Sequence, residues 1–458
     1  MEKLPNNWVK TDLDTVIIRM TNGSGLRQEE LSFEGSLPIS RIETIWNETI
    51  DLDRVKYVSA SDDDIKKYAL QKGDVLFSHI NSDKHLGKTA VFNLDKTVIH
   101  GINLLLLRAI PQFNGDLLNY ILRHYRFSGK FIEVAQRSVN QSSINQKKLK
   151  SFTVPLPPLA EQQRIVAKLD GLFGHLDSLK QRLKHIPTLL KQFRQSVLTQ
   201  AVTGKLTEEW RVGKNLGEWS NLKMGDIVNS IDAGKSFKCP EYPVEKGQVG
   251  LVKISAVTWN VFNPTETKTV TDKSRINEKY FINSGDFLIS RANTLELIGA
   301  SVLVDDIEFD IMLSDKVWRV NFINDTAKLY AHKFLKSSQG RIEIESRATG
   351  NQLSMRNLSQ NNFKDIDIPM PPLKEQTEIV KQVEALFDKA ETIEAAYDKL
   401  KKQIDSLPQA ILAKAFKGEL VEQLPTDGDA KELLKEITAL RAFLEKEKKS
   451  KKKKKQNN

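Results

Sequence analysis

Residues 155–166 read PLPPLAEQQRIV and residues 369–380 read PMPPLKEQTEIV, so the chain contains the same short segment twice. The offset between the copies (369 − 155 = 214) holds without a gap from Val154–Leu206 to Ile368–Leu420. Of these 53 aligned positions 15 are identical, including both Pro-Pro-Leu triplets and both Glu-Gln pairs. An internal repeat of this length predicts a duplicated structural element.

Each proline-rich segment leads into a regular pattern of apolar residues. Their spacing alternates between four and three, which is typical of a helix whose apolar seam packs on a partner helix. The pattern therefore predicts two long helical rods that pack on each other, with Pro187 and Pro408 each expected to kink or break a rod. The predicted seam consists of Ile165, Leu169, Leu172, Leu176, Leu179 and Leu183 in the first rod, and Ile379, Val383, Leu386, Ile393, Tyr397 and Leu400 in the second.

The regions that precede the rods also repeat. LQKGDVLFSHIN at 70–81 aligns with INSGDFLISRAN at 282–293, and Trp8 aligns with Trp219. Short strand-like runs separated by Gly, Asn and Asp, with two short helical patterns, predict mixed α/β domains. The predicted fold class is α+β, an internal repeat with two mixed α/β domains and two rods. Its expected boundaries are domain 1 at 1–150, spacer 1 at 151–206, domain 2 at 207–367, spacer 2 at 368–420, and a C-terminal helix with a disordered Lys-rich tail at 421–458.

The formal net charge of +10 is concentrated at the C-terminus. The segment 446–455, KEKKSKKKKK, carries eight Lys and one Glu, or +7, which leaves +3 for the rest of the chain. The global charge is therefore weak support for nucleic-acid binding. The longest apolar stretch is too short for a membrane span, the N-terminus lacks the apolar region of a signal peptide, and Cys239 is the single cysteine. These features predict a cytoplasmic protein without a membrane segment.

Fragments that resemble catalytic motifs have the wrong spacing. Gly87-Lys88-Thr89 and Gly234-Lys235-Ser236 resemble the end of a phosphate-binding loop, but Ser82 and Asn229 stand where that loop needs glycine. The seven His residues form no HExxH motif, and a single cysteine cannot build a cysteine zinc site. The sequence therefore predicts a chain that is not an enzyme and holds no metal.

The duplicated PPLxEQ segments, the paired heptad rods ending in Gly-x-Leu and the repeated Gly-Asp strands together resemble the specificity subunits of type I restriction-modification systems. The resemblance extends from Trp8 to Leu420. It implies two target-recognition domains on antiparallel rods with pseudo-two-fold symmetry, each domain reading one half of an asymmetric bipartite site in double-stranded DNA. It further implies that the rods set the spacer and dock two methyltransferase subunits, with restriction (translocase and nuclease) subunits as further partners. S-adenosylmethionine, ATP and Mg would then belong to those partners, and this chain would hold no cofactor.

Base recognition uses bidentate donors and acceptors such as Arg, Asn and Gln, while Lys and backbone amides mainly position phosphates. Polar loops supply candidates in both domains. An alternative hypothesis is a non-catalytic assembly protein whose domains bind protein or glycan, and sequence-dependent DNA binding would separate the two. The candidate DNA contacts are Ser24, Arg27, Gln28, Asn81, Lys84 and Lys88 in the first domain, and Lys235, Ser236, Lys238, Arg291 and Asn293 in the second.

Overall fold

The computed structural model describes residues 4–139, 141–352 and 355–456. The chain forms two compact units. Unit 1 combines the residues up to Leu183 with those from Leu400 onward, and unit 2 is Lys184–Lys399. Each unit therefore contains one globular domain together with parts of both rods, whereas the boundaries predicted from the sequence separate the domains from the rods.

Unit 1 begins with the first globular domain. Its helices are α1 (Leu13–Val16), α2 (Asp62–Tyr68), α3 (Gly115–Phe127), α4 (Lys130–Val134) and α5 (Gln146–Lys150). Its strands are β1 (Val9–Asp12), β2 (Ile17–Asn22), β3 (Leu37–Ile39), β4 (Ile45–Trp46), β5 (Thr49–Ile50), β6 (Lys56–Val58), β7 (Asp74–Phe77), β8 (Ile80–Asn81), β9 (Thr89–Phe92), β10 (Leu105–Ala109), β11 (Gln136–Ser138), β12 (Gln141–Ser143) and β13 (Thr153–Leu156).

The first rod consists of α6 (Leu159–Lys184) and α7 (Ile186–Val202), and α8 (Glu208–Arg211) follows it. The strands of the second domain are β14 (Ser220–Lys223), β15 (Val228–Ala233), β16 (Val249–Val252), β17 (Thr267–Val270), β18 (Phe287–Ser290), β19 (Ala292–Asn293), β20 (Ser301–Leu303), β21 (Asp310–Met312), β22 (Val317–Phe322), β23 (Thr349–Gln352), β24 (Met355–Asn357) and β25 (Asp367–Met370). The remaining helices are α9 (Asp325–Lys336), α10 (Ser338–Arg347), α11 (Gln360–Lys364), the second rod α12 (Leu373–Lys417) and α13 (Ala430–Gln456).

The duplication extends to the sheet topology. Unit 1 has a four-stranded sheet of order β2-β10-β7-β9, and unit 2 has one of order β15-β22-β18-β20. A two-stranded sheet in each unit pairs the domain start with the strand before a rod, β1 with β13 and β14 with β25. A three-stranded sheet in each unit joins β8 to the β11-β12 hairpin and β19 to the β23-β24 hairpin. The internal repeat predicted from the sequence is therefore confirmed.

Each four-stranded sheet is buried on both faces. In unit 1, Val75 and Phe77 belong to the core formed with α3, whereas Leu76 belongs to a second core with Ile45. Successive side chains of a strand point to opposite faces, so the uninterrupted apolar run in β7 matches a sheet that is covered on both sides. Unit 2 repeats this arrangement, with Phe287 and Leu288 in different cores.

The rods complete the cores of the units. In unit 1, Ile165 near the start of α6 shares a core with Phe416 near the end of α12. In unit 2, Arg194 of α7 pairs with Glu394 of α12 at 2.7 Å, and Val202 shares a core with Ile379. Residue numbers that rise along one helix and fall along the other define antiparallel packing within each unit.

The two rod prolines have different effects. The first rod breaks between Lys184 and Ile186, and Pro187 occupies the first turn of α7, where its missing N–H removes no helical hydrogen bond. The second rod continues through Pro408 without a break. Ile404 and Leu412 are buried on either side of Pro408, and this packing holds α12 continuous despite the lost hydrogen bond.

Burial along the predicted seam is uneven. Ile165, Leu169, Leu176, Ile379 and Val383 are buried, while Leu172, Leu183, Leu386 and Tyr397 are half-buried. The prediction of a buried seam is wrong in its middle portion, where Leu179, Ile393 and Leu400 are 43%, 52% and 44% exposed. Heptad spacing aligns apolar side chains on one face of a helix, but it does not specify that a neighbour covers that face along its whole length.

The Lys-rich segment differs from the predicted disordered tail, because α13 continues through it to Gln456. Lysine has a high helix propensity, so a helix that is anchored at its start can extend through such a run. The anchors are Leu433 and Ile437, which are buried, and Arg441, whose Nη2 lies 2.9 Å from Asp14 Oδ2. Residues 457–458 lie outside the described part. None of the helices described has the length and apolarity that crossing a membrane requires.

Candidate nucleic-acid interface

The candidate contact residues lie at one edge of each four-stranded sheet. In unit 1, β2 and β7 are both antiparallel to β10, so they run in the same direction and end at the same edge. In unit 2, β15 and β18 are both antiparallel to β22 and also end together. The edge meant here is the end of the sheet at which these strands stop, and not an outer strand. We call it, together with the loops that follow the two strands, the loop edge of each unit. It brings together candidates that lie far apart in the sequence.

A glycine allows the first loop of each loop edge to approach the backbone of a neighbouring segment closely. A Cβ on Gly23 would lie 2.2 Å from the carbonyl oxygen of His100, and a Cβ on Gly234 would lie 1.8 Å from that of Leu313. Contacts this short exclude any larger residue without movement of the backbone. The two loops are therefore built in the same way, although the residues that follow the glycines differ.

In unit 1 the first loop carries Ser24, Arg27 and Gln28. Ser24 is buried, and its hydroxyl accepts a hydrogen bond from the Leu26 N–H at 3.1 Å, so it stabilises the turn. The Arg27 side chain is 91% exposed and its Nε lies 3.1 Å from Glu29 Oε1, an ion pair that contributes little in solvent. Gln28 is half-buried. Of these three candidates, Arg27 and Gln28 are thus the ones that an external ligand could reach.

The second loop of unit 1 carries Asn81, Lys84 and Lys88. Asn81 Nδ2 donates to Ser78 Oγ at 3.1 Å, and Asn81 Oδ1 accepts from the Ser82 N–H at 2.9 Å. Lys84 is exposed and Lys88 is half-buried. Burial, together with the nearby Arg126 cation, lowers the pKa of Lys88. These two cations give the loop a positive charge suited to phosphate groups.

In unit 2 the first loop carries Lys235, Ser236 and Lys238, which are all exposed. The Ser236 hydroxyl donates to the carboxylate of Asp315. The second loop carries Arg291 and Asn293, which are both half-buried. Asn293 Oδ1 accepts from the Thr294 N–H at 2.9 Å.

The three-stranded sheets add residues to each loop edge that the sequence analysis missed. Ser142 of β12 is the register partner of Asn81, and Arg356 of β24 is the register partner of Asn293. Arg137 of β11 is 65% exposed and lies 3.6 Å from Asp83. The pairing of β8 with β12 joins distant parts of the chain, so no local spacing in the sequence could reveal it.

A buried glutamate fixes the start of each domain to a rod. Glu161 Oε2 accepts from Trp8 Nε1 at 2.8 Å, and Glu375 Oε2 accepts from Trp219 Nε1 at 3.0 Å. Both carboxylates are fully buried near the first turn of a rod helix, where the helix dipole stabilises negative charge. Thr207 also donates to Glu375, at 2.7 Å. These contacts hold each sheet, and therefore each loop edge, in a fixed position on its rod segment.

Among the residues that the structure describes, no three His, Cys, Asp or Glu side chains come together as a metal site. The polar chemistry of the loop edges consists of hydrogen-bond donors, acceptors and cations. Such an arrangement can bind an anionic, hydrogen-bonding surface of the kind that a nucleic acid presents.

Comparison with known proteins assigns the family. A family model described as type I restriction modification DNA specificity domain matches the chain twice, over residues 5–188 and 217–402. The chain belongs to this family of type I restriction-modification specificity subunits. The two matches correspond to the two copies of the internal repeat.

Individual relatives span nearly the whole chain. The type I restriction enzyme EcoKI specificity subunit of Escherichia coli is 29% identical over 457 residues, which cover 96% of this chain and 97% of the relative. A putative type I restriction enzyme MjaX specificity subunit of Methanocaldococcus jannaschii is 28% identical, over 91% of this chain and 95% of the relative. The predicted family is therefore confirmed.

Solved structures show the same fold. The HsdS subunit from Thermoanaerobacter tengcongensis superposes with a TM-score of 0.58 at 18% identity, covering 91% of this chain and 98% of that one. A chain from a study of complex assembly and conformational transition of the type I R-M system has a TM-score of 0.63 at 19% identity, over 91% and 99%. At these identities the likeness concerns the fold, and it confirms the predicted class of two mixed α/β domains with helical rods.

Proposed function

We propose that this chain is the sequence-reading subunit of a type I restriction-modification complex, in which each unit reads one half of an asymmetric bipartite DNA site. The observation that carries the proposal is the duplication of one scaffold with unlike side chains on its two loop edges. Gly23 and Gly234 build equivalent turns, yet Arg27 and Gln28 follow the first, and Lys235 and Lys238 follow the second. Two scaffolds of the same shape with different donors and acceptors recognise two different base sequences.

The residue types at the loop edges divide between two tasks. Lys84, Lys88, Lys235 and Lys238 are suited to phosphates, which position the protein on the duplex without carrying sequence information. Arginine and amide side chains can form bidentate hydrogen bonds with base edges in the major groove. Arg27, Gln28, Asn81, Arg291 and Asn293 are therefore the proposed base contacts, and Ser24 and Ser236 stabilise the loops.

The rods have a second proposed role. Exposed apolar side chains of the seam, Leu179 and Leu400 in unit 1 and Ile393 in unit 2, are the positions at which methyltransferase subunits are proposed to dock. The chain itself is proposed to be non-catalytic and to bind no cofactor. Adenine methylation with S-adenosylmethionine, and ATP- and Mg-dependent translocation and cleavage by restriction subunits, would be carried out by the partners.

The test is to map adenine methylation in the DNA of a host that expresses this chain with the methyltransferase subunit encoded beside it. A single bipartite motif with a fixed gap is the expected result. The segment 1–150 is then replaced by the equivalent domain of a relative while both rods are kept. This exchange should alter one half of the motif, and the matched exchange of the segment 207–367 should alter the other half. A motif without a gap, or one that neither exchange changes, would contradict the proposal and favour an assembly protein.

A further inference from the structure

Arg291 is unusual among the arginines of unit 2. Its side chain is half-buried, and within the residues described it forms no hydrogen bond or ion pair, with Nε fully buried and unpartnered. Arg356, whose Nε is also buried and unpartnered among the described residues, still donates to the Gly350 carbonyl, and other half-buried arginines of the unit pair with carboxylates. Arg319 contacts Asp232 and Asp286, and Arg347 contacts Glu343 and Asp367. The described part of the chain therefore supplies no partner for the guanidinium of Arg291.

A partly buried guanidinium without acceptors is energetically costly, since it loses hydration without gaining hydrogen bonds. Such a group is retained when an external acceptor completes it. Arg291 directly follows Ser290, the last residue of β18, so its backbone lies at the loop edge. The backbone there is fixed on both sides, because Arg291 N–H donates to the Lys316 carbonyl at 2.9 Å and its own carbonyl accepts from Leu358 N–H at 2.8 Å. The side chain is thus attached to a rigid backbone position, as specific recognition requires.

The equivalent position in unit 1 is occupied by a different residue, His79. Ser78 and Ser290 match in their backbone contacts, since Gly87 N–H donates to Ser78 and Gly299 N–H to Ser290, so His79 corresponds to Arg291. His79 is 8% exposed, its Nδ1 has no partner in the described chain, and its Nε2 lies 3.4 Å from Asn22 Nδ2. Burial lowers the pKa of His79, which favours its neutral form.

The residue beside this position differs as well. Asn22 pairs with Leu105 at the end of β2, and Ala233 pairs with Trp318 at the end of β15, so Asn22 and Ala233 are equivalent. Asn22 Oδ1 accepts from Gln146 Nε2 at 2.9 Å, which forms an amide and imidazole cluster in unit 1. Unit 2 has only a methyl group at the position of Asn22. At these two places, one scaffold therefore carries Asn and His in unit 1 but Ala and Arg in unit 2.

We infer that Arg291 reads a guanine in the half-site bound by unit 2, and that the position shared by His79 and Arg291 determines a base at which the two half-sites differ. The inference rests on the proposed function and deepens it. An arginine fork matches the O6 and N7 acceptors of guanine in the major groove. A phosphate contact is a poorer match, because Lys235 and Lys238 already supply cations on the same edge.

The test uses Arg291→Lys and Arg291→Gln in the complex with the methyltransferase subunits, with methylated sites mapped as above. Lysine keeps the positive charge and glutamine does not, but neither has the forked guanidinium. Both variants should therefore tolerate other base pairs at one G·C position of the second half-site. Discrimination at that position should fall roughly 5- to 150-fold, while the first half-site stays unchanged. The matched control is Lys328→Gln, which removes a cation at the opposite edge of the sheet, where Lys328 Nζ donates to the Gly285 carbonyl at 3.0 Å. It should leave the motif intact.

The outcomes separate this inference from the proposed function. If the wild-type motif is bipartite and both Arg291 variants keep it unchanged, the inference is overturned and the proposed function stands. If Arg291→Gln weakens binding equally for all sequences and lowers the salt slope by about one, Arg291 contacts a phosphate and the inference is also wrong. A wild-type complex without a bipartite motif would instead refute the proposed function.

Two further measurements keep the test decisive. If neither Arg291 variant methylates DNA in cells, the purified complexes are titrated with duplexes that each carry one substituted base pair in the second half-site. Loss of discrimination at one G·C position supports the inference, and full discrimination at every position contradicts it. The reciprocal double variant, Asn22→Ala with His79→Arg, gives the first domain the side chains that the second domain carries at these positions. It should create a guanine preference at one position of the first half-site, and an unchanged first half-site would count against the inference.

Discussion

The imidazole of His100 is buried below the first loop of unit 1. Its Nε2 lies 3.3 Å from the carbonyl oxygen of Thr21, and its Nδ1 has no partner among the described residues. Burial lowers the pKa of His100 to about 4, an effect that the Thr21 carbonyl partly opposes and the Arg19 cation reinforces. The backbone carbonyl of His100 accepts a hydrogen bond from the Ser24 N–H at 2.7 Å. His100 therefore connects the core of unit 1 with its loop edge.

The stability of the folded chain should therefore depend on pH through His100. The unfolded chain takes up a proton at His100 below its ordinary pKa of 6.5, whereas the folded chain resists protonation down to about 4. Stability is fully present above pH 6.5 and is lost as the pH falls towards 4, by at most about 3 kcal/mol. His100→Gln should flatten this dependence, measured by urea unfolding of the full chain at a series of pH values. His175→Gln, at an exposed site on α6, is the control. Equal slopes for His100→Gln and the wild type would contradict the prediction.

At the scale of elements, the rods show what periodicity can and cannot predict. The seven-residue pattern predicted two long helical rods correctly, and proline chemistry predicted the break at Pro187. The same pattern could not reveal which part of the seam a neighbour covers, because coverage depends on residues from distant elements. It is the globular domains that bury the rod ends: Ile165 shares a core with Leu117 of α3, and Val383 shares one with Phe334 of α9.

The strand order of the sheets could not be predicted from the sequence either, because it also depends on distant elements. The strand β2 pairs with β10, which lies far along the chain, and nothing in either strand specifies that partner. The candidate DNA contacts were predicted from polar loops, which are visible in the sequence. Strand pairing and a buried side-chain cluster bring Asn22, His79 and Arg356 to the loop edge, and no local pattern in the sequence predicts either. The Trp8 and Trp219 alignment was visible in the sequence, but the buried carboxylates that bind the two indoles were not.

Exposed and buried positions of the seam should respond differently to substitution. Ile393→Asp with Leu400→Asp changes exposed sites, so we expect the free energy of unfolding of the chain to change by no more than about 1 kcal/mol. Binding to the methyltransferase subunits should weaken at least about tenfold, since apolar anchors dominate the energy of protein interfaces. Co-purification and titration calorimetry with the methyltransferase subunit would measure this effect.

The matched control is Val383→Asp, at a fully buried site of the same helix. A buried carboxylate without a partner should destabilise the chain by about 3 kcal/mol or more, seen as an early unfolding transition. If the Ile393 and Leu400 double variant unfolds normally and also assembles with wild-type affinity, the exposed seam is not the docking surface.

At the scale of the whole molecule, most of the net positive charge lies in a different segment from the candidate DNA contacts. The segment 446–455 contributes +7 of the net +10, whereas the loop edges carry only a few cations each. The loop edges are therefore expected to select the sequence, and the Lys-rich end of α13 is expected to add attraction that does not depend on sequence. Phosphates attract such a segment through counterion release, which depends steeply on salt.

Deletion of the segment 446–458 should therefore weaken the binding of the assembled complex to DNA that lacks its site, and should leave the methylated motif unchanged. The slope of log affinity against log salt should become shallower by at most about 6, the value for roughly seven phosphate contacts. Titrations of a non-specific duplex over a range of salt concentrations would measure the slope. A variant with the eight lysines replaced by glutamine keeps the length of α13 and should reproduce the deletion. An unchanged slope would show that the segment does not contact DNA, and an altered motif would show that it takes part in reading the sequence.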